Sequence, residues 1–380
     1  MAARPQTLPA GAAPVVVGAG LAVHAGVFEP LVALAALVGA LLIQVGTNFA
    51  NDYYDAVNGA DTDEREGFTR VTAGGLIEPA SVKRAMLLTY GLAVVVGTAL
   101  VAIGGVPIIA VGLSGIAAGI LYTGGPFPYG YRGLGDLFVF VYFGLVAVTG
   151  TYYAQAVAST PAIGIFPTTL PAGTLPVDAV VASLPAAGLS TAILVVNNIR
   201  DRETDMAAGK KTLAVYLGYG PSRAEFLALV GMAYAVPVLF ALRPAYGLPA
   251  LAPLLTLPLA AKMSATVLER TDGEALNPTL ELVGKTLFAH SLLFAAGLAT
   301  RTSARPGSCS RSSIPGSSGE RRVGSRTTSR SPVSGSNRQT PTASGMRFRW
   351  APVTYEAVAR TTASRRPSET SVRSWRRGSP

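Results

Sequence analysis

The sequence predicts an all-α integral membrane protein of about nine transmembrane helices, and three observations support this class. The 380-residue chain has a mean hydropathy of +0.40, and only 14% of its residues are charged. Soluble domains carry about 25% charged residues, and this chain has markedly fewer than is typical of them. The third observation is a series of apolar runs of roughly 17–23 residues, the length of a helix that crosses a ~30 Å hydrocarbon layer.

The apolar runs predict nine spans within residues 1–300. Several of the runs are rich in glycine and alanine, which membrane helices tolerate and which lets them pack closely. The spans are expected at about Ala10–Val27, Leu31–Asn51, Val82–Ile103, Val106–Tyr122, Asp136–Ala158, Asp178–Asn198, Ser222–Leu242, Leu248–Val267 and Gly284–Thr300.

The basic residues of the first 300 positions predict how the chain is oriented. With nine spans, fourteen lysines and arginines fall on the side of the N-terminus, and Arg243 alone falls on the other. Cytoplasmic connections of membrane proteins carry an excess of Lys and Arg. We therefore expect a multi-pass protein of the plasma membrane with its N-terminus in the cytoplasm. A large soluble helical protein would give no reason for this alternation.

The net charge of +10 belongs to the end of the chain. Residues 301–380 hold 16 Arg and 3 Glu, so they carry a net charge of +13 and the first 300 residues are slightly acidic. The charge is therefore no indication of nucleic-acid binding. We predict a membrane domain over 1–300 and an Arg- and Ser-rich tail over 301–380, either disordered or the product of a frameshift. The alternative is a basic tail that binds anionic lipid.

Two acidic clusters stand on the predicted inner side. Each places an asparagine and two aspartates on one helix face: Asn48, Asp52 and Asp55 after span 2, and Asn197, Asp201 and Asp205 after span 6. Carboxylates that share a cavity repel each other unless a cation binds between them. Because the donors are oxygens, with no nearby His or Cys, the expected cation is Mg²⁺, which completes its shell with phosphate and water.

Basic residues follow each acidic cluster. Arg70 follows the first, and Lys210 and Lys211 follow the second. Both side-chain types bind phosphate oxygens, so the order of acid, metal and base indicates a diphosphate site. One alternative is that each cluster is only a solvated helix end. Another is an ion transporter, which would place its acids near mid-membrane rather than at the ends of spans.

Three stretches resemble the UbiA superfamily of intramembrane prenyltransferases, and within it the 1,4-dihydroxy-2-naphthoate polyprenyltransferases. They are NDYYDAVNGADT (51–62), YTGGPFPYGYRGLGD (122–136) and NNIRDRETDMAAGKKTLAVYLG (197–218). The resemblance covers about residues 4–300. It implies nine helices around a central cavity with both aspartate motifs at the cytoplasmic rim, together with Mg²⁺, a polyprenyl diphosphate donor and an aromatic acceptor.

The resemblance also implies roles for single residues. Four aspartates would be the catalytic, metal-binding acids: Asp52, Asp55, Asp201 and Asp205. Asp61 would be a further metal-binding acid, with a less defined role. Neutral and basic side chains would help to bind the substrate and its diphosphate: Asn48, Asn51, Asn197, Asn198, Arg70 and Lys210.

The stretch between spans 4 and 5 is the predicted place of the aromatic acceptor. Tyr122, Tyr129 and Asp136 lie on the inner side with the aspartate motifs, and our hypothesis is that they line the rim of the cavity. The alternative is that the tyrosines are interfacial anchors and that the prolines between them only break the helix.

Two further groups of polar residues are expected to be structural. Tyr152, Tyr153 and Gln155 fall near the outer end of span 5, which is typical of an interfacial belt. His290 lies in an apolar run, and we expect it to pack or to form hydrogen bonds rather than to act in catalysis.

The predicted function follows from the resemblance. A polyprenyl group would pass from its diphosphate to 1,4-dihydroxy-2-naphthoate with loss of diphosphate and carbon dioxide, giving a demethylmenaquinone in menaquinone biosynthesis. A sibling enzyme acting on 4-hydroxybenzoate or on an isoprenoid glyceryl phosphate is the nearest alternative, and a membrane transporter is the alternative of a different class. We expect the protein to lie in the lipid bilayer and to bind no nucleic acid. The sequence indicates no protein partner.

Overall fold

The computed structural model describes residues 2–59, 72 and 74–300, and within this part the secondary structure is helical, with no strand. Asp61, Arg70 and the whole predicted tail lie outside the described residues. The helices are α1 (Leu8–Ala25), α2 (Pro30–Val57), α3 (Pro79–Leu121), α4 (Gly135–Ala158), α5 (Val177–Arg200), α6 (Arg202–Ala207), α7 (Leu213–Leu217), α8 (Tyr219–Ala241), α9 (Leu248–Glu269) and α10 (Gly273–Ala299).

The described residues hold eight helices long and apolar enough to cross a membrane, and one of them, α3, is long enough to cross twice. Its 43 residues would span about 65 Å as one straight helix, twice the hydrocarbon thickness. A methyl group placed on Gly119 would lie 2.6 Å from the hydroxyl oxygen of Tyr90. In a straight helix these positions would be about 44 Å apart, so the two halves of α3 pack side by side. The all-helical membrane fold is confirmed, and counting the two halves of α3 separately turns the eight helices into nine passes, as predicted.

The two halves of α3 meet at Gly105 without an intervening loop. Its φ of 62° and ψ of −146° suit glycine, and a side chain there would lie 1.9 Å from the carbonyl oxygen of Pro167. The segment after α4 covers this turn, because Val106 N donates to Pro167 O at 3.0 Å and Phe166 N donates to Ala102 O at 3.3 Å. Backbone groups that leave a helix within a membrane need such partners.

Two helices extend beyond their predicted spans toward the aspartate motifs. Helix α2 continues to Val57 rather than ending at Asn51, and α10 begins at Gly273 rather than at Gly284. Asp272 caps α10 by accepting a hydrogen bond from Ala275 N at 3.0 Å. Hydropathy marks only the apolar part of a helix. The backbone hydrogen bonds of these two helices continue into the neighbouring polar residues.

The second acidic cluster does not lie on one continuous helix, in contrast to the prediction. Helix α5 ends at Arg200, and Asp201 has a φ of −88° and a ψ of 4° at the junction with α6, which carries Asp205. The chain nevertheless stays compact here, because Asp205 N donates to the carbonyl oxygen of Asp201 at 2.7 Å.

Helix α5 forms the centre of the packed core, and most of its residues are buried. Small residues allow its neighbours to approach closely: a methyl group on Gly188 would lie 2.7 Å from the carbonyl oxygen of Leu229, and one on Gly144 would lie 2.1 Å from Ala187 Cβ. This packing holds α4 and α8 against α5, as the small residues of membrane helices commonly do.

The end of the bundle opposite the aspartate motifs is held by a polar cluster. The hydroxyl of Tyr246 donates to Asp178 Oδ2 at 2.7 Å, and Arg243 pairs with the other oxygen of that carboxylate. His24 stacks on Tyr246 with ring centroids 4.2 Å apart. The ends of α1, α5 and α8 are joined in this way.

The interpretation of Tyr152, Tyr153 and Gln155 as an interfacial belt is wrong, because all three side chains are buried. The hydroxyl of Tyr153 donates to Gly104 O at 2.9 Å beside the turn of α3. His290 is fully buried with its Nε2 3.1 Å from Ala233 O, as expected of a structural histidine.

Candidate active site

A cavity of about 920 Å³ lies between the helices and reaches the aspartate motifs. Its walls come from α1 to α5 and α10, together with the segments that follow α3 and α5. Polar side chains are concentrated where α2 and α5 end, while mid-helix positions of α2, α3 and α4 supply mostly small and apolar residues. Part of the α4 wall is the π-helical turn Val141–Val146, a local widening that is frequent at functional sites.

Most of the predicted site residues meet at this cavity. Those that line it are Asn48, Asn51, Asp55, Tyr122, Tyr129, Asn197, Asn198, Asp201, Asp205 and Lys210. Asp52 and Asp136 are buried beside it and are not among the lining residues. The predicted roles of Asp61 and Arg70 fall on positions outside the described residues.

In the first motif, two polar side chains are used to hold neighbouring chain segments. Asp52 Oδ2 accepts hydrogen bonds from Thr72, at 3.3 Å from its backbone nitrogen and 2.5 Å from its hydroxyl. Asn48 Nδ2 donates to Ala3 O at 2.9 Å and to the Thr7 hydroxyl at 2.8 Å, which fixes the N-terminal segment in the cavity wall. These contacts position the backbone around the site.

Two other residues of α2 are held by the segment that follows α3. Asn51 Oδ1 accepts a hydrogen bond from the Thr123 hydroxyl at 3.1 Å. The hydroxyl of Tyr131, in the 3₁₀ turn Tyr129–Arg132, donates to Asp55 Oδ1. The 122–136 stretch therefore packs against the first motif directly.

In the second motif, Arg200 neutralises and orients Asp201. Its Nε and Nη2 donate to the two oxygens of Asp201, each at 2.7 Å, and Nη2 also donates to Asn197 Oδ1 at 2.6 Å. Nη1 donates to Asn277 Oδ1 at 2.7 Å, which joins α5 to α10. The Arg200 side chain is 1% exposed, so removal of the Asp201 carboxylate would leave the buried guanidinium without this ion pair.

Lys210, like Arg200, is a basic residue of the second motif that lines the cavity. Its ammonium lies 3.7 Å from Asp205 Oδ1 and 5.1 Å from the centroid of the Tyr131 ring. Its backbone nitrogen donates to Asp205 O at 2.8 Å, which folds the chain back after α6. Lys211 is exposed and does not line the cavity.

The predicted acceptor residues form an aromatic wall. Tyr129 is 7% exposed, its hydroxyl donates to Ala118 O at 2.8 Å, and its ring lies 4.1 Å from that of Phe138 and 5.4 Å from that of Tyr122. A tyrosine that anchors a helix at the membrane interface would be exposed, so the burial of Tyr129 does not fit that alternative. Burial, followed by the nearby carboxylates of Asp136, Asp55 and Asp205, raises the pKa of Tyr122, so its phenol stays protonated and can donate a hydrogen bond.

Asp136 begins α4 behind this wall. It is 6% exposed, and within the described part of the chain neither of its carboxylate oxygens has a hydrogen-bond partner. A buried carboxylate without a partner is costly. Its effect on Tyr122 is electrostatic, and it does not itself reach the cavity.

The donor chemistry of the cavity fits Mg²⁺. Asp55, Asp201 and Asp205 line it together with side-chain amides, so the available ligands are oxygens. Among the described residues, no three acidic, histidine or cysteine groups are gathered closely enough to enclose a metal by themselves. Mg²⁺ does not need such a cage, because it is usually held by one or two carboxylates and completed by substrate phosphates and water.

Comparison with known proteins agrees with this architecture. The model of the UbiA prenyltransferase family matches residues 12–292. The 1,4-dihydroxy-2-naphthoate octaprenyltransferase of Escherichia coli (strain K12) is 39% identical over 302 residues, which cover 78% of this chain and 92% of that protein.

Two solved structures share the fold. A UbiA homologue from Aeropyrum pernix K1 superposes with a TM-score of 0.56 at 15% identity, covering 74% of this chain and 96% of that one. One from Archaeoglobus fulgidus, bound to DMAPP and Mg²⁺, has a TM-score of 0.50 at 15% identity and covers 77% and 97%. The chain belongs to the UbiA prenyltransferase family and is a multi-pass membrane prenyltransferase.

Proposed function

We propose that the protein transfers a polyprenyl group from polyprenyl diphosphate to 1,4-dihydroxy-2-naphthoate, with release of diphosphate and carbon dioxide. One observation carries this proposal: a single cavity joins the acids and the lysine of both motifs to a long apolar chamber. A prenyl diphosphate has the same two parts, a dianionic or trianionic head and an apolar tail. The name of the Escherichia coli relative supports the naphthoate as acceptor.

Mg²⁺ is the proposed cofactor, and it would neutralise the charge that develops on the leaving diphosphate. Asp55, Asp201 and Asp205 are the described acids that would hold it, with Asp52 and Asp61 as further proposed ligands from the first motif. The Archaeoglobus fulgidus homologue bound to DMAPP and Mg²⁺ supports Mg²⁺ as the cofactor.

The chain's own residues would bind the head group and protect the reacting carbon. Lys210 would contact the diphosphate oxygens as a point charge, beside Asn51, Asn197 and Asn198, and Arg70 is proposed to do the same. The apolar wall would hold the tail and exclude water while the allylic C–O bond breaks. The bonding electrons leave with the diphosphate.

The aromatic acceptor would lie beside Tyr122 and Tyr129. The electron-rich ring carbon that bears the carboxylate would attack the allylic carbon and form the C–C bond. The carboxylate would then leave as carbon dioxide, and the electrons of the broken C–C bond would restore the aromatic ring. The immediate product would be a demethylmenaquinol, the reduced form of the demethylmenaquinone predicted from the resemblance. The protonated phenol of Tyr122 is suited to donate a hydrogen bond to an acceptor oxygen in this position.

A cytoplasmic site in the plasma membrane is part of the proposal. All three motif segments lie at one end of the bundle, and twelve of the thirteen described lysines and arginines of positions 1–300 lie toward that end, the exception being Arg243. Cytoplasmic location of that end follows from the preference of Lys and Arg for inner connections. The division into a catalytic unit over 1–300 and a tail stays a prediction.

Product analysis tests the proposed reaction. Purified protein in lipid vesicles would receive geranylgeranyl diphosphate, 1,4-dihydroxy-2-naphthoate and Mg²⁺, and we expect a prenylated naphthoquinol, equimolar carbon dioxide and loss of turnover with EDTA. Parallel reactions would supply 4-hydroxybenzoate or an isoprenoid glyceryl phosphate acceptor. Preferential prenylation of either would replace the naphthoate as substrate, and absence of any prenylated product from folded protein would overturn the proposal.

A further inference from the structure

Tyr131 contacts both aspartate motifs, although it belongs to neither. It lies in the 3₁₀ turn Tyr129–Arg132 and lines the cavity. Its hydroxyl donates to Asp55 Oδ1 on α2, and its ring face lies 5.1 Å from the ammonium of Lys210. Its carbonyl oxygen accepts a hydrogen bond from Lys211 N at 2.8 Å, so the turn is also joined to the second motif through the backbone.

These contacts act on two charges of opposite sign. A phenol that donates to a carboxylate limits the directions in which the carboxylate oxygens can point, and a charge-assisted hydrogen bond is stronger than a neutral one. An ammonium over an aromatic face is attracted by the negative face of the ring. Lys210 is also 3.7 Å from Asp205 Oδ1, so the contacts run from Asp55 through Tyr131 and Lys210 to Asp205.

We propose that Tyr131 is a positioning residue that aligns the two motifs, with its hydroxyl directing Asp55 toward Mg²⁺ and its ring directing Lys210 toward diphosphate. This inference rests on the proposed function, and it deepens it by separating two tasks within one side chain. The hydroxyl serves the metal side and the ring serves the phosphate side. Substitutions that remove only the hydroxyl, or the whole ring, should therefore have different kinetic effects.

The test compares Tyr131→Phe, which keeps the ring, with Tyr131→Leu, which removes both features. Tyr153→Phe is the matched control, because Tyr153 is also a tyrosine whose hydroxyl donates a hydrogen bond, in its case to Gly104 O at the far end of the bundle. For Tyr131→Phe we expect the Mg²⁺ concentration at half-maximal rate to rise about tenfold, as for loss of a partner that orients a metal ligand. Its KM for geranylgeranyl diphosphate should stay within twofold of the original protein's.

Tyr131→Leu should raise the Mg²⁺ requirement and also raise the KM for geranylgeranyl diphosphate by about two- to fivefold, the size of a cation–π contact. Tyr153→Phe should change neither quantity. A Mg²⁺ requirement unchanged in Tyr131→Phe, or raised equally in Tyr153→Phe, would overturn the inference. So would equal KM values for Tyr131→Phe and Tyr131→Leu.

A second measurement separates this inference from the proposed reaction. Thermal unfolding would be followed in the presence of Mg²⁺ and a non-hydrolysable geranylgeranyl thiolodiphosphate, with no acceptor present. We expect the ligand to raise the unfolding temperature of the original protein and of Tyr153→Phe, and to require about tenfold more Mg²⁺ to do so in Tyr131→Phe. Equal Mg²⁺ dependence in all three would overturn the role of Tyr131, whereas failure of the naphthoate reaction alone would leave this result standing.

Discussion

Four aspartates that look alike in the sequence have four different surroundings in the fold. Asp52 holds Thr72, Asp55 accepts from Tyr131, Asp201 is paired with Arg200, and Asp205 lies near Lys210. Only the last three line the cavity. The surroundings of each carboxylate therefore predict what its removal costs: activity where it faces substrate, and stability where it balances a buried charge.

Loss of the Asp55 carboxylate should affect activity far more than folding. We expect Asp55→Asn to lower kcat by about 100-fold or more, because it removes a charge directed at the metal and the leaving group. Asp178→Asn is the control, since that carboxylate pairs with Arg243 at the opposite end of the bundle. Steady-state rates and unfolding temperatures would be measured for both. Full activity of Asp55→Asn would contradict its assignment to the site.

Loss of Arg200 should affect folding first. Arg200→Met breaks the buried ion pair with Asp201 and removes the hydrogen bonds to Asn197 and Asn277, and we expect the free energy of unfolding to fall by about 3–5 kcal/mol. Lys285→Met is the control, because Lys285 forms an exposed pair with Glu281 at 2.8 Å, and such pairs contribute under about 1 kcal/mol. Denaturation of purified protein in detergent measures both. Equal losses in the two variants would contradict the structural role of Arg200.

At the scale of elements, α3 determines much of the shape of the cavity. Its two halves form a hairpin around Gly105, and glycines from both halves line the cavity with open space where a side chain would begin. Gly97, Gly112 and Gly115 have this property. A missing side chain at these positions widens the apolar chamber proposed to hold the prenyl tail.

A leucine on this wall should shorten the donors that the enzyme accepts. Gly112→Leu meets no atom within 4 Å at its Cβ, so the helix should tolerate it while the side chain enters the cavity. We expect kcat/KM to fall at least about tenfold for geranylgeranyl diphosphate, whose long tail would clash with the leucine, and less than twofold for the short dimethylallyl diphosphate. Gain or loss of one apolar group in such a pocket changes the binding free energy of a substrate by about 1–3 kcal/mol. Gly91→Leu, on the same helix but away from the cavity, should change neither. Equal effects on both donors would show that this wall does not contact the tail.

At the scale of the whole molecule, nine passes bring every motif to one end. The C-terminal end of α2, the 122–136 stretch and the segment between α5 and α8 all lie there. A cluster at the other end joins helices: Asp178, Arg243, Tyr246 and His24. An odd number of passes also places the N-terminus and Thr300 at opposite ends.

Cysteine labelling tests the orientation of this arrangement. Cys309 is the only cysteine, so a Cys309→Ser background allows single cysteines at exposed positions near each end: Lys83→Cys and Thr168→Cys. In intact bacterial cells we expect a membrane-impermeant maleimide to label Thr168→Cys alone, and to label both after permeabilisation. Labelling of only Lys83→Cys in intact cells would reverse the orientation.

The sequence by itself determined the number of passes, the break near Gly105 and the gathering of charge at one end. Apolar runs of fixed length and the need to pair every backbone group in lipid are properties of consecutive residues, so they can be read along the chain. The spacing of four and three residues between Asn48, Asp52 and Asp55 likewise predicted that they share one helix face, and all three are buried on α2.

Only the tertiary structure decided which of these groups face the cavity. It placed Asp52 and Asp136 beside the cavity rather than on its wall. It also brought in Tyr131, a residue of the 122–136 stretch with no predicted role, and Asn277, which lies outside the three stretches. Each of these outcomes depends on a partner far away in the sequence. Electrostatic and hydrogen-bonding partners are chosen by helix packing, and a pattern along one helix carries no information about the side chains that meet it.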